Sequence, residues 1–190
     1  MINIFPTPIN IGECEDFADK KDELMNWAYK LKYVYNSVCY SNRLDSWQSP
    51  PLEPDNMFNT YSGDLQRLVD EYKITGDMTI KYIWVNVNST SGYNTLHHHG
   101  VITPLSGVFY IKVPENSGDI VFHSPTHLCG STFYRNISDE FHGENKTMPE
   151  YRITPKEGMI VLFPSYLWHL VEPNTSGGDR ISISFNISMV

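Results

Sequence analysis

Three histidines stand in a row in Leu96-His97-His98-His99-Gly100, and a distant one, His169, closes the run Pro164-Ser165-Tyr166-Leu167-Trp168-His169. On an extended segment alternate side chains share a side, so His97 and His99 point together and His98 points away. Two imidazoles joined by a third from a distant strand make a three-point cap on a metal ion. The opposite face of the ion stays open to a substrate, oxygen or a chelating cofactor. A histidine by itself is more often a packing or surface residue. The pair at a loop–strand junction, matched by His169, is a more specific arrangement. Imidazole suits iron, zinc, copper and nickel alike, so the spacing does not choose the metal.

Arg180 lies eleven positions after His169, and Ser182 follows two later. In a strand, Arg180, Ser182, Ser184 and Asn186 fall on one face and Ile181, Ile183, Phe185 and Ile187 on the other. A guanidinium inside a barrel is a forked, permanent cation that grips a carboxylate, and the Ser182 hydroxyl adds a further hydrogen bond. The competing reading is a wet polar face with Arg180 in a surface ion pair. The pairing with His169 favours the pocket.

Other side chains carry weaker signals. Tyr110 and Trp84 fit a pocket wall, although strand aromatics more often pack in cores. Asn86 and Asn88, in phase with Trp84, either touch a ligand or cap the strand end. His123 and His127 form a candidate second metal pair, with loop histidines as the simpler account. His142 reads as a solvated loop residue.

These groups need strands to hold them. Met78–Val87, Ser106–Val113, Ile120–His123, Met159–Phe163 and Arg180–Ser188 read as strands. In the first, Ile80, Tyr82, Trp84 and Asn86 should face one way and Lys81, Ile83, Val85 and Val87 the other. Upstream, Met1–Gly12 reads as an extended arm or edge strand, because Pro6 and Pro8 bar a central position. Glu15–Tyr33 is helical by the spacing of Leu24, Ala28 and Leu31. A second helix opens at Ser62, with Leu65, Leu68, Val69 and Tyr72 on one face. The Pro-punctuated stretch Ser41–Pro54 reads as a loop. Gly130–Glu150 reads as a long loop or lid. Helices first and many short strands afterwards imply a β-sandwich or barrel with a helical flank.

Bulk properties narrow the function classes. The 190 residues suit one domain with its own core, and a net charge of −8 argues against general binding to nucleic acid or to an anionic membrane. No run approaches the length of a membrane span, and no signal peptide is visible at the start. Cys14, Cys39 and Cys129 are odd in number and lack CxxC spacing. They read as reduced thiols, which places the chain in the cytoplasm.

HxH, a distant His and then Arg-x-Ser resemble the 2-oxoglutarate and Fe(II)-dependent dioxygenase superfamily. Residues 94–114 and 155–187 resemble, more specifically, an oxygenase family of bacteria and phages. Ser106-Gly107-Val108-Phe109-Tyr110, Phe163-Pro164-Ser165 and Arg180-Ile181-Ser182-Ile183-Ser184-Phe185-Asn186 carry that likeness. The resemblance implies a double-stranded β-helix, a jelly-roll and cupin-like fold, mainly β with flanking helices. The resemblance covers mostly the C-terminal half; with the length and the order of helices and strands, it makes residues 1–190 one oxygenase domain, with 1–77 as helical flank and support and 78–190 as the β-helix core.

By the same resemblance His97, His99 and His169 hold Fe(II), and Arg180 and Ser182 bind the distal carboxylate of 2-oxoglutarate. The activity implied is hydroxylation of a small molecule or a peptide with O2, and a homodimer is compatible. The chain departs from the superfamily at the second ligand, where His99 stands in place of Asp or Glu. A shifted register, His98 with Gly100, would instead leave a ligand position open, as in halogenases. The competing functions are a cupin-like three-histidine metalloenzyme without 2-oxoglutarate, and a non-catalytic jelly-roll binding or structural module.

Overall fold

The computed structural model describes residues 6–59, 62–125, 135–145 and 147–190. Two antiparallel sheets form the body. The larger is ordered β1 (Asn10–Glu13), β9 (Met159–Pro164), β6 (Leu105–Lys112), β11 (Arg180–Met189), β4 (Met78–Asn88) and β3 (Ser46–Gln48). The smaller is ordered β2 (Asn42–Arg43), β5 (Tyr93–His97), β10 (His169–Val171), β7 (Ile120–His123) and β8 (Glu150–Ile153). This is the expected mainly β jelly roll, a double-stranded β-helix.

Strand β11 is central because both of its faces have work. Ile181, Ile183, Phe185 and Ile187 enter one apolar cluster together with Ile83, Val85 and Val87 of β4. Helices α1 (Phe17–Val34) and α3 (Ser62–Asp70) cover that cluster with Leu24, Ala28, Leu65 and Leu68. Each fully buried Ile or Phe contributes about 2 kcal/mol. A second cluster, including Val108, Tyr110, Phe122, Val161 and Phe163, draws on both sheets. Gly107 lies where β6 crosses the Phe185 ring. A β-carbon there would collide with that ring and would sit 2.6 Å from Leu162 Cδ2.

Three elements depart from the sequence reading. Ser41–Pro54 is not a bare loop. It supplies β2 and β3, and Leu52 bridges to Ile83. These are short, polar edge strands beside prolines, formed by main-chain pairing with no hydrophobic period to mark them. The second departure lies in β4. Phe185 pairs with Ile83 and Ile187 with Ile80, so two β4 residues oppose one of β11. This bulge reverses the phase, and Ile80 packs on the helix-covered cluster instead of sharing the face of Trp84 and Asn86.

The third departure concerns residues 130–150. In addition to α2 (Asn56–Asn59), which precedes α3, the chain forms α4 (Asp139–Asn145). Ser138 starts α4, with its hydroxyl accepting from the Phe141 N–H at 3.3 Å. His142 is buried, not solvated, and its Nδ1 lies 2.8 Å from Thr147 Oγ1. His127 and Cys129 fall outside the described residues. Cys14 and Cys39 are free thiols, the first buried and the second exposed. Among the described residues no helix is long and apolar enough to cross a membrane.

Candidate metal centre

His97 closes β5 and pairs directly with His169 at the start of β10. His99 lies beyond the strand, and its backbone N–H donates to the Ser165 carbonyl at 2.8 Å. Gly100 then takes φ 90°, a left-handed turn that a β-carbon would strain. One ligating atom from each of His97, His99 and His169 lies within 4.8 Å of the others. That grouping would let the three imidazoles hold one metal ion between them. The rings lie 4.3 Å apart for His97–His169, 5.1 Å for His99–His169 and 5.3 Å for His97–His99 between centroids.

The hydrogen bonds choose the free nitrogen. Nδ1 of His97 donates to the Thr95 carbonyl at 2.7 Å, Nδ1 of His169 to the Leu167 carbonyl at 2.9 Å, and Nδ1 of His99 to Asn186 Oδ1 at 2.7 Å. Every Nδ1 is thereby occupied and every Nε2 is left with its lone pair, the pattern that surrounds metal-bound imidazoles.

Burial keeps these rings neutral. It lowers the pKa of His97 against the opposing Thr95 bond. It pushes His99 down to about 4, with the Asn186 bond opposing and His97 and His98 adding to the fall. His169 is driven well below the ordinary value by burial and by the His97 and His99 rings. Neutral imidazole is the ligating form.

The acid stability of the metal-free protein follows from these shifts. Unfolded histidine takes up its proton near 6.5, whereas folded His99 resists until about 4. The unfolded chain therefore binds more protons across that window. Stability is complete above pH 6.5 and should be lost progressively down to about 4, by roughly 3 kcal/mol from His99 alone. Thermal melts of chelator-treated protein at stepped pH measure this. A flat profile there would contradict the buried neutral rings.

Arg180 is 1% exposed and lines the same cavity as the three histidines, together with Ser182 and Tyr110. Its Nη1 donates to the carbonyls of Ser117, Gly118 (3.2 Å) and Glu172 (3.5 Å). Its buried Nη2 has no partner. Among the described residues no carboxylate forms an ion pair with it. A buried cation in this state costs several kcal/mol until an anion meets it. The donors thus fit a group that brings a carboxylate to Arg180 and a chelating end to the imidazoles.

The remaining candidates sort by position. His98 is exposed and turned onto Trp168, 4.5 Å between ring centroids, with Nδ1 accepting from the Gly100 N–H at 2.9 Å. It stands outside the cluster, which rules out the His98/Gly100 register. Tyr166 and Trp168 are exposed, so they do not dry the site. Phe163 and Phe122 do, at 4.7 and 5.8 Å from the His169 ring. His123 faces Glu150 at 3.8 Å, away from the cluster.

Asn86 lines the cavity, with Nδ2 donating to Ser184 Oγ at 3.0 Å and a buried Oδ1 that has no partner. Asn88 also lines it and donates to Asn94 Oδ1 at 3.2 Å, and Asn94 donates to Ser41 Oγ at 3.0 Å. Asn94 escapes simple alternation because a bulge sets Val171 opposite it while His169 opposes His97. Asn186 shares the β11 face of Arg180 and Ser182, so its inward position was legible, but its partner was not.

Residues 82–186 match the family described as "Putative 2OG-Fe(II) oxygenase". No curated protein matches the chain in sequence. Among solved structures it is similar to a Pseudomonas putida prolyl-4-hydroxylase, with 13% identity, TM-score 0.64, and 97% of this chain and 94% of that one covered. A viral collagen prolyl hydroxylase from Paramecium bursaria Chlorella virus-1, in its 2-oxoglutarate complex, gives 18% identity, TM-score 0.64 and 96% coverage of both chains. HygX from Streptomyces hygroscopicus, with nickel, 2-oxoglutarate and hygromycin B bound, gives 11% identity, TM-score 0.66 and coverage of 97% and 84%. At these identities the three structures establish the fold. The family match sets aside a cupin-like enzyme without 2-oxoglutarate and a non-catalytic module. The chain belongs to the 2-oxoglutarate and Fe(II)-dependent oxygenase family and is a dioxygenase with those two cofactors.

Proposed function

We propose that His97, His99 and His169 hold Fe(II) through Nε2, and that Arg180 and Ser182 bind the distal carboxylate of 2-oxoglutarate. The observation that carries this reading is the buried Nη2 of Arg180, unpartnered in the same cavity as three neutral imidazoles. When bound, the two cofactors turn O2 into an oxidant for a C–H bond, with succinate and CO2 as co-products. The protein's own part is placement. Thr95, Leu167 and Asn186 aim the imidazoles, Arg180 fixes the far end of the keto acid, and Phe122 and Phe163 exclude water. Tyr110, buried beside Ser182 on the neighbouring strand, walls the cosubstrate end of the cavity.

The reaction is a hydroxylation of a small molecule or a peptide. The whole of 1–190 acts as one oxygenase domain, with 1–77 as flank and support of the 78–190 core. The free thiols Cys14 and Cys39 support a cytoplasmic setting, and the net charge of −8 speaks against general nucleic-acid binding. Anaerobic titration with Fe(II) and 2-oxoglutarate tests the site. A visible charge-transfer band should appear only with both present, because it needs the keto acid chelated to the iron. A wild-type protein that binds iron but gives no band on adding 2-oxoglutarate would refute the arrangement.

A further inference from the structure

The second ligand position holds an imidazole where the superfamily carries a carboxylate, and an imidazole needs something a carboxylate does not. Either oxygen of a carboxylate can face the ion. A neutral imidazole has one lone pair, and its tautomer decides which nitrogen bears it. His97 and His169 solve this with backbone carbonyls. His99 solves it with a side chain: its Nδ1 lies 2.7 Å from Asn186 Oδ1.

In the structure the Asn186 amide turns Oδ1 toward His99, and the serines behind it are matched to that orientation. Ser106 Oγ donates to the same Oδ1 at 2.8 Å. Ser106 Oγ also lies 2.7 Å from Ser165 Oγ. The Ser106 proton is spent on Asn186, so Ser165 must be the donor of that second bond. Both serines are 0% exposed, so no water competes for them. Were the amide turned over, its NH2 would face His99, Nδ1 would become the acceptor, and the proton would sit on Nε2, where the metal must bind. Ser165 completes the hold, since its carbonyl also takes the His99 backbone N–H at 2.8 Å.

We infer that Asn186, held by Ser106 and Ser165, is the positioning residue that makes His99 a metal ligand: it keeps the proton on Nδ1 and presents Nε2 to the ion. This rests on the metal reading above. It assigns Asn186 no contact with the metal, the cosubstrate or the substrate.

Two measurements test it. Nitrogen-15 NMR of the metal-free wild type should find the His99 proton on Nδ1. In Asn186→Ala it should move largely to Nε2, the form that free imidazole prefers. Co(II) titration, used as an oxygen-independent probe, should show Asn186→Ala binding roughly 10–100-fold more weakly. Asn186→Asp, which keeps the acceptor, should retain affinity within about threefold, a rescue that a merely structural role would not give. Ser106→Ala should fall between wild type and Asn186→Ala.

A wild-type His99 proton on Nε2, or Co(II) affinity in Asn186→Ala within twofold of wild type, overturns the inference. The wild-type spectrum decides it even if Asn186→Ala fails to fold. Wild-type protein that takes up no Co(II) overturns the metal reading as well, which distinguishes the two failures.

Discussion

Replacing His169 with Ala should abolish stoichiometric iron binding, and with it any 2-oxoglutarate-dependent oxygen uptake. His169 is 4% exposed and touches both other rings, so no water-bathed side chain can take its place. Three to four kcal/mol per ligand is a fair share of the roughly 10–16 kcal/mol that a full structural site supplies. Affinity should therefore drop on the order of 10²–10³-fold, below what equilibrium dialysis against micromolar Fe(II) retains. His169→Gln, closer in volume, should fail in the same way while sparing the packing of Phe122 and Phe163.

The metal-free variants carry a second signature of opposite sign. They lack a buried imidazole that must charge in acid, so their stability should decline less than that of wild type as pH falls. Full iron occupancy in either variant would remove His169 from the centre.

Replacing Arg180 with Ala should raise the 2-oxoglutarate requirement by about 10²-fold or more while leaving iron affinity nearly unchanged. Removing one partner of a buried, hydrogen-bonded ion pair costs roughly 2–5 kcal/mol. Here the surviving partner would be the cosubstrate carboxylate, left in a buried cavity without its counterion. The substitution also strips a donor from the carbonyls of Ser117, Gly118 and Glu172, a folding cost of about 1–3 kcal/mol. Arg180→Lys separates the two effects. It keeps the charge and loses the fork. It should restore stability and recover only part of the cosubstrate affinity. Steady-state KM for 2-oxoglutarate, measured beside iron affinity, reads both. An unaltered KM in Arg180→Ala would end the anchor role.

The convergence of the candidate residues was more legible in the sequence than the scaffold that brings them together. His97, His99, His169, Arg180 and Ser182 were legible because alternation holds without interruption across His97–His99 and along the inward face of β11. It failed where a strand carries an extra residue. The bulge in β4 turned Ile80 away from the face of Trp84, and the one in β5 brought Asn94 in beside His97. Such an insertion shows only in the pairing of two strands, which one chain read alone does not contain. The edge strands β2 and β3 were missed for a related reason, since main-chain hydrogen bonds leave no trace in side-chain type. His142 was misread because polar sequence around it concealed a helix that buries it.

Arg180 and the imidazoles belong to different walls of the molecule. His97 and His169 are neighbours in the smaller sheet, whereas Arg180 leads the central strand of the larger one. A cosubstrate held as proposed, by Arg180 at one end and the imidazoles at the other, would therefore bridge the two sheets as well as react.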